Sequence, residues 1–233
     1  MRLARWMALL AVLAAPTSAM AAPVKPKAAA KQDWLKTISR TPEGAIVVGN
    51  PAAKVKLIEY LSLTCPHCAV MSGETMAPLQ RDYIAKGLVS FEVRHAVRDG
   101  YDFVASLLAR CAPPATYLGS IEGLFATQQQ WMTKAMAAAE DPGFDAKTPE
   151  QKMATVSHIA GFDSYFAGRG LPPARYAACL ADLPAQKQLG EMAGFAWDRD
   201  KIPGTPAFMI NGTMAGSLAH WSELEAKLAA AAR

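Results

Sequence analysis

From Val55 to Leu63, the residues Val55, Leu57, Glu59, Leu61 and Leu63 fall on one face of an extended chain, and Ile58 and Tyr60 make the other face apolar too. A strand that is apolar on both sides belongs in the middle of a sheet, with helices over it. Pro66 follows, and proline is tolerated at the first position of a helix. The helical pattern runs from there to about Lys86, where Gly87 stops it. Leu88–Val97 alternates again and predicts a second strand, which completes a β-α-β unit. Upstream, Trp34, Leu35 and Ile38 are spaced for one short helical turn. Ala45–Val48 is a short β-rich run closed by the turn formers Gly49, Asn50 and Pro51.

The pattern changes from Asp102 to about Leu183, where no strand stands out and helical spacings dominate. Leu118, Ile121, Leu124, Phe125, Trp131, Met132, Ala135 and Met136 recur at three- and four-residue steps up to Asp141-Pro142-Gly143. Thr148-Pro149-Glu150-Gln151 has the form of a capping box and opens a helix that ends near Gly161. Shorter helices are expected around Asp163–Ala167 and Pro173–Ala181, and a longer one from Gln186 to about Asp200. Ala207–Ile210 and Thr213–Ala215 flank Asn211-Gly212, the strongest two-residue hairpin signal. Trp221, Leu224 and Leu228 then line one face of a terminal helix. The organisation is a β-α-β half and a β-β-α half with an all-helical insert between them.

Composition adds little to the fold: 52% apolar and 19% charged residues suit a packed core and argue against disorder. The N-terminus adds more. Arg2 and Arg5 precede an apolar run from Trp6 to Ala15, then Pro16 and the small-x-small sequence Ala19-Met20-Ala21. This is the pattern of a signal peptide, with cleavage expected near Ala21 and a periplasmic destination. The run is too short to span a bilayer comfortably. Removal of Arg2 and Arg5 takes the net charge from +4 to +2. A charge that small gives no reason to expect nucleic acid or an anionic membrane as a partner. Residues 22–42 read as a solvated linker and a short N-terminal segment.

Export places the four cysteines, Cys65, Cys68, Cys111 and Cys179, where disulfides form and persist. Cys65 and Cys68 stand at a strand-to-helix junction. There the first sulfur meets free backbone N–H groups and the positive end of the helix dipole, which favour thiolate over thiol. Cys68, one turn in, reaches back to close a disulfide, and His67 adds a donor beside Cys65. A metal clasp of Cys65, Cys68 and His67 with Cys111 or Cys179 is the competing arrangement. No second close pair supports it, and neither metal nor cofactor is expected. Glu59 interrupts an otherwise apolar central strand, so its carboxyl pKa should be raised, suiting it to carry a proton for Cys68. The other possibility is pairing with Arg94 or Lys56. Cys111 and Cys179 are expected to form a structural disulfide worth roughly 4 kcal/mol for this spacing, with a redox-tuning role left open. His95, His158 and His220 are isolated and read as structural or surface residues.

The stretch VKLIEYLSLTCPHC, residues Val55–Cys68, resembles the active-site strand and helix of the DsbA family of thioredoxin-fold proteins. Thr205-Pro206 before a strand is similar to that family's cis-proline loop. The interval between Cys65 and Pro206 leaves room for the helical domain that DsbA-type proteins insert. The resemblance implies an α/β thioredoxin-like fold with an inserted all-helical domain: residues 43–98 and 185–233 form the thioredoxin-like part, and 99–184 the insertion. It implies a thiol:disulfide oxidoreductase that acts as a dithiol oxidase and passes the Cys65–Cys68 disulfide to reduced periplasmic client proteins through a mixed disulfide. Thr205 and Pro206 would bind the client strand, with Pro206 cis. It further implies a monomer reoxidised by a quinone-linked membrane oxidase of the DsbB type. Competing functions are a disulfide isomerase or reductase, and a non-catalytic, thiol-dependent holdase or metal-binding protein on the same fold.

Overall fold

The computed structural model describes residues 32–233. The expected leader over 1–21, and residues 22–31 of the linker, lie outside the described residues. The strands β1 (Ile38–Arg40), β2 (Ile46–Gly49), β3 (Val55–Leu61), β4 (Val89–His95), β5 (Ala207–Ile210) and β6 (Thr213–Gly216) form one sheet in the order β1-β2-β4-β3-β5-β6. The doubly apolar β3 lies inside the sheet. It runs parallel to β4, with Val55 opposite Val89 and Leu61 opposite His95, and antiparallel to β5, with Glu59 opposite Phe208. On one face of β3, Val55, Leu57 and Leu61 join a core with Met71, Phe91, Phe208, Leu224 and Leu228. On the other, Tyr60 is buried with Ala96, Ala196, Ile202 and Ala207. Five of the seven β3 residues are buried, with only Lys56 exposed and Ile58 half-buried, so the hydrophobic pattern determines the strand's central place.

Between β3 and β4 lies α1 (Pro66–Pro78), which continues as a wider π-helical turn over Leu79–Ile84. Pro78 has no N–H for the helical ladder, and the backbone widens just beyond it. The central region is helical throughout: α2 (Gly100–Cys111), α3 (Tyr117–Ala126), α4 (Gln128–Ala137), α5 (Pro149–Ile159), α6 (Phe162–Ala167) and α7 (Pro173–Leu180). A disulfide joins Cys111 at the end of α2 to Cys179 in α7, with the Cα atoms 6.2 Å apart. The helix α8 (Leu183–Gly194) leads back to the hairpin β5–β6, and α9 (Trp221–Ala232) closes the chain. At the hairpin, Asn211 and Gly212 both have positive φ, 49° and 80°, as a type I′ turn requires. The thioredoxin-like sheet with its inserted helices is therefore the observed architecture.

Four local expectations are corrected. The strand β3 stops at Leu61, not Leu63, because the Leu63 N–H donates to the Asp102 carboxylate (2.9 Å) instead of to a neighbouring strand. Ile38 belongs to β1, opposite Val48, and only Trp34–Lys36 make a helical turn. The long helical pattern from Leu118 to Met136 is broken at Thr127 (φ −113°, ψ 15°), whose hydroxyl donates to the Gly123 carbonyl (2.8 Å). The helix expected from Gln186 starts at Leu183, because the Asp182 side chain accepts from the Ala185 N–H (3.0 Å) and Pro184 fits the first turn. That start falls just before the expected domain boundary at 184/185. The capping box at Thr148 is present in both directions: Thr148 Oγ1 accepts from Gln151 N–H, and Gln151 Oε1 accepts from Thr148 N–H.

Candidate active site

Cys65 is the N-cap residue of α1, and Cys68 lies in its first turn. Pro66 suits the first helical position but donates nothing, so the backbone N–H groups of His67 and Cys68 face the Cys65 sulfur. Both cysteines are free thiols and both are buried, Cys65 at 2% exposure and Cys68 at 0%. They ionise very differently. The Cys65 pKa falls from 9.0 to about 4, first because the Cys68 thiol hydrogen-bonds to the sulfur, then through the Thr205 side chain and the backbone donors of Cys68 and His67. Burial opposes the shift and is outweighed. Cys68 is driven strongly upward, chiefly by burial, and further by its bond to Cys65 and by the negative charges of Cys65 and Glu59. One site thus holds a sulfur that sheds its proton readily beside one that keeps it.

Glu59 is 4% exposed and has a pKa raised to about 7 by burial. Neither basic candidate pairs with it. Arg94 binds Glu92 (2.6 Å), Asp200 (3.0 Å) and the Tyr60 hydroxyl (3.0 Å), and the Lys56 ammonium reaches the Pro51 carbonyl. Arg94 and Glu59 follow strand alternation, which sends them to different faces. Glu59 is left as a buried carboxyl close enough to Cys68 to raise its pKa.

The Thr205–Pro206 bond is cis, and the Thr205 carbonyl accepts from the Cys65 thiol at 3.1 Å. Thr205 and Pro206 line a groove of about 310 Å³ with His67, Val70 and Leu218. His67 is exposed at its rim, and Val70 is 56% exposed. Fold topology thus brings together Cys65, Cys68, His67, Thr205 and Pro206, with Glu59 beneath Cys68. Cys111 and Cys179 are bonded to each other, which removes them from any metal clasp with Cys65 and Cys68. Among the described residues, no three His, Cys, Asp or Glu side chains gather as a metal site, and no helix is long and apolar enough to cross a membrane.

Sequence reasoning missed the residues that hold the loop before Cys65. Asp102 is fully buried and accepts from the Leu63 N–H (2.9 Å), the Arg98 N–H (3.1 Å) and the Ser106 hydroxyl (3.1 Å). Burial raises its pKa to about 6 against the pull of the Ser62 hydroxyl and the Leu63 and Arg98 N–H groups. Asp99 accepts from the Thr64 hydroxyl (2.6 Å) and caps α2 through the Asp102 N–H (2.8 Å). The Gln128 amide donates to the carbonyls of both Leu63 (2.8 Å) and Cys65 (2.9 Å). Asp99-Gly100 before an apolar helix is an N-cap signal that could have been read. Gln128 has no local signal at all. Outside the site, Glu74 of α1 binds the His220 ring (3.1 Å) and the Trp221 N–H (3.0 Å), fixing the start of α9.

Comparison with known proteins agrees with this geometry. The thioredoxin family model matches residues 41–230. A Rickettsia felis protein, named only provisionally as a protein-disulfide oxidoreductase, is 24% identical over 183 residues, 78% of this chain and 59% of its own length. A Rickettsia bellii protein of the same provisional name is 25% identical over 178 residues, 76% of this chain and 61% of its own. The chain thus spans about three fifths of the length of these curated relatives. Among solved structures, a protein-disulfide isomerase from Novosphingobium aromaticivorans is 27% identical with a TM-score of 0.72, covering 80% of this chain and 96% of that one. Wolbachia pipientis alpha-DsbA1 shares the fold at 18% identity and a TM-score of 0.61, covering 80% and 89%. The family match runs through Cys65, the helical insert and Pro206 alike, and the chain belongs to the thioredoxin family, with the architecture of its DsbA-like members.

Proposed function

We propose that the protein is an exported thiol:disulfide oxidoreductase that donates the Cys65–Cys68 disulfide to reduced client proteins in the periplasm. The observation that carries this reading is the contrast between the two sulfurs, with Cys65 ionising at about 4 and Cys68 resisting ionisation. In the oxidised protein a client thiolate attacks Cys65 Sγ, the Cys65–Cys68 bond breaks, and a client–Cys65 disulfide forms. The electron pair leaves on Cys68, which takes up a proton because its buried site disfavours the anion; Glu59, a buried carboxyl whose charge bears on Cys68, can supply one. A second client thiolate then attacks the client sulfur and releases Cys65 as a thiolate. A low-pKa leaving group departs quickly, and its stability in the reduced protein makes the disulfide a strong oxidant. The client is oxidised by two electrons, the protein is reduced, and a quinone-linked membrane oxidase of the DsbB type restores the disulfide. The groove at Val70, Thr205 and Pro206 is the place for an extended client segment.

The deciding measurement is the Cys65–Cys68 potential in glutathione buffers. It should lie nearer to about −120 mV, the reference value for DsbA itself, than to the about −270 mV of thioredoxin. A potential at the thioredoxin end would overturn the oxidase reading. The name of the Novosphingobium structure favours a second reading, disulfide isomerase. Faster rescue of a scrambled client than of a fully reduced one would select it.

A further inference from the structure

Gln128 stands out among the buried polar side chains, because it belongs to the helical insert yet spends its amide on the active-site backbone. It is the first residue of α4, 9% exposed, and its Nε2 donates to Leu63 O at 2.8 Å and to Cys65 O at 2.9 Å. Its own position is tightly set. The Thr127 hydroxyl donates to Gly123 O (2.8 Å) and the Trp131 indole to Leu124 O (2.8 Å), locking the break between α3 and α4, while Trp131 packs against Phe162 with the rings tilted and their centroids 5.2 Å apart. Among the described residues the Cys65 carbonyl receives one other bond, from the Ala69 N–H at 3.2 Å.

We propose that Gln128 is a positioning residue for the disulfide exchange, a clamp from the helical insert that fixes the Cys65–Pro66 peptide so that the N–H groups of His67 and Cys68 converge on the Cys65 sulfur. This rests on the redox reading of Cys65 and Cys68 given above. Pro66 contributes no N–H, so the helix start offers fewer donors than usual, and their aim depends on the plane of this one peptide. The clamp also brings the positive end of the Gln128 amide dipole to the N-cap, where it favours negative charge on the sulfur. The helical insert thereby acts on the chemistry as well as covering it.

The test is titration of the Cys65 thiolate by absorbance near 240 nm in reduced wild type, Gln128→Leu and Gln128→Glu, together with the equilibrium against glutathione. The midpoint in Gln128→Leu should rise by about one pH unit, a tenfold change in the ionisation constant, which is the size of one hydrogen bond to a charged group. The glutathione equilibrium should move about tenfold in step, and Gln128→Glu should move both further. Thr148→Ala, which breaks the cap of α5 and loosens the insert without touching the site, should leave the midpoint in place. Should the Leu variant fail to fold, the wild type still answers. The Gln128 side-chain amide resonances should shift with the same midpoint as Cys65. A wild-type midpoint near 4 with flat Gln128 resonances, or with an unmoved folded Gln128→Leu, overturns the clamp alone. A wild type with an ordinary thiol midpoint overturns the redox reading itself.

Discussion

The stability of the reduced protein should depend on pH in a way that the oxidised protein does not share. In the reduced fold Cys65 ionises at about 4, against 9.0 for an ordinary thiol in the unfolded chain. A depressed acid pKa stabilises the fold fully above pH 9, less with each step down, and not at all below pH 4. At pH 7 three of the five units still count, about 4 kcal/mol, and water reaching the groove cuts this to about 2–4 kcal/mol. The oxidised protein has no Cys65 thiolate, while its other titrating groups, Glu59 and Asp102 among them, are common to both forms. The assay is urea unfolding of the two forms in parallel at pH 7, 5.5 and 4. The reduced form should lose about 2–4 kcal/mol relative to the oxidised one between pH 7 and pH 4. A gap that stays constant within about 0.5 kcal/mol across that range would refute the argument, because no thiolate of the stated stability could then be present.

Glu59→Gln should stabilise the protein at pH 8 by up to about 3 kcal/mol. The wild-type carboxyl, raised to about 7 in the fold, costs stability as pH rises from 4.5 to 7. The same variant should exchange disulfides several-fold more slowly, as stopped-flow fluorescence would show, and unchanged kinetics would remove Glu59 from the proton path. Replacing Cys111 and Cys179 together by Ala should lower the unfolding free energy by about 4 kcal/mol in denaturant titrations, from the freed loop. Val70→Asp, at an exposed position on the groove, should raise KM for a peptide client while leaving the potential of Cys65–Cys68 nearly unchanged. Equal losses in KM and potential would place Val70 in the redox chemistry instead of in client binding.

The alternation around Glu59 and the placing of Pro66 between Cys65 and Cys68 are local patterns, and they determined the central strand and the helix start and singled out the thiol pair. The hairpin at Asn211-Gly212 and the cap at Thr148 are equally local, because each needs only backbone geometry that a few neighbouring residues dictate. The brief β1 strand was illegible, since three residues become a strand only through pairing with β2. The same holds for the end of β3, which depends on Asp102, a residue 39 positions away from Leu63. Tertiary structure alone decided that Arg94 turns away from Glu59, that the Thr205 carbonyl meets the Cys65 sulfur, and that Gln128 holds the Cys65 peptide. A sequence specifies which groups can ionise or donate, because that is a property of each side chain. The direction and depth of a pKa shift depend on which distant donors and how little water surround the group, and only the assembled core sets those.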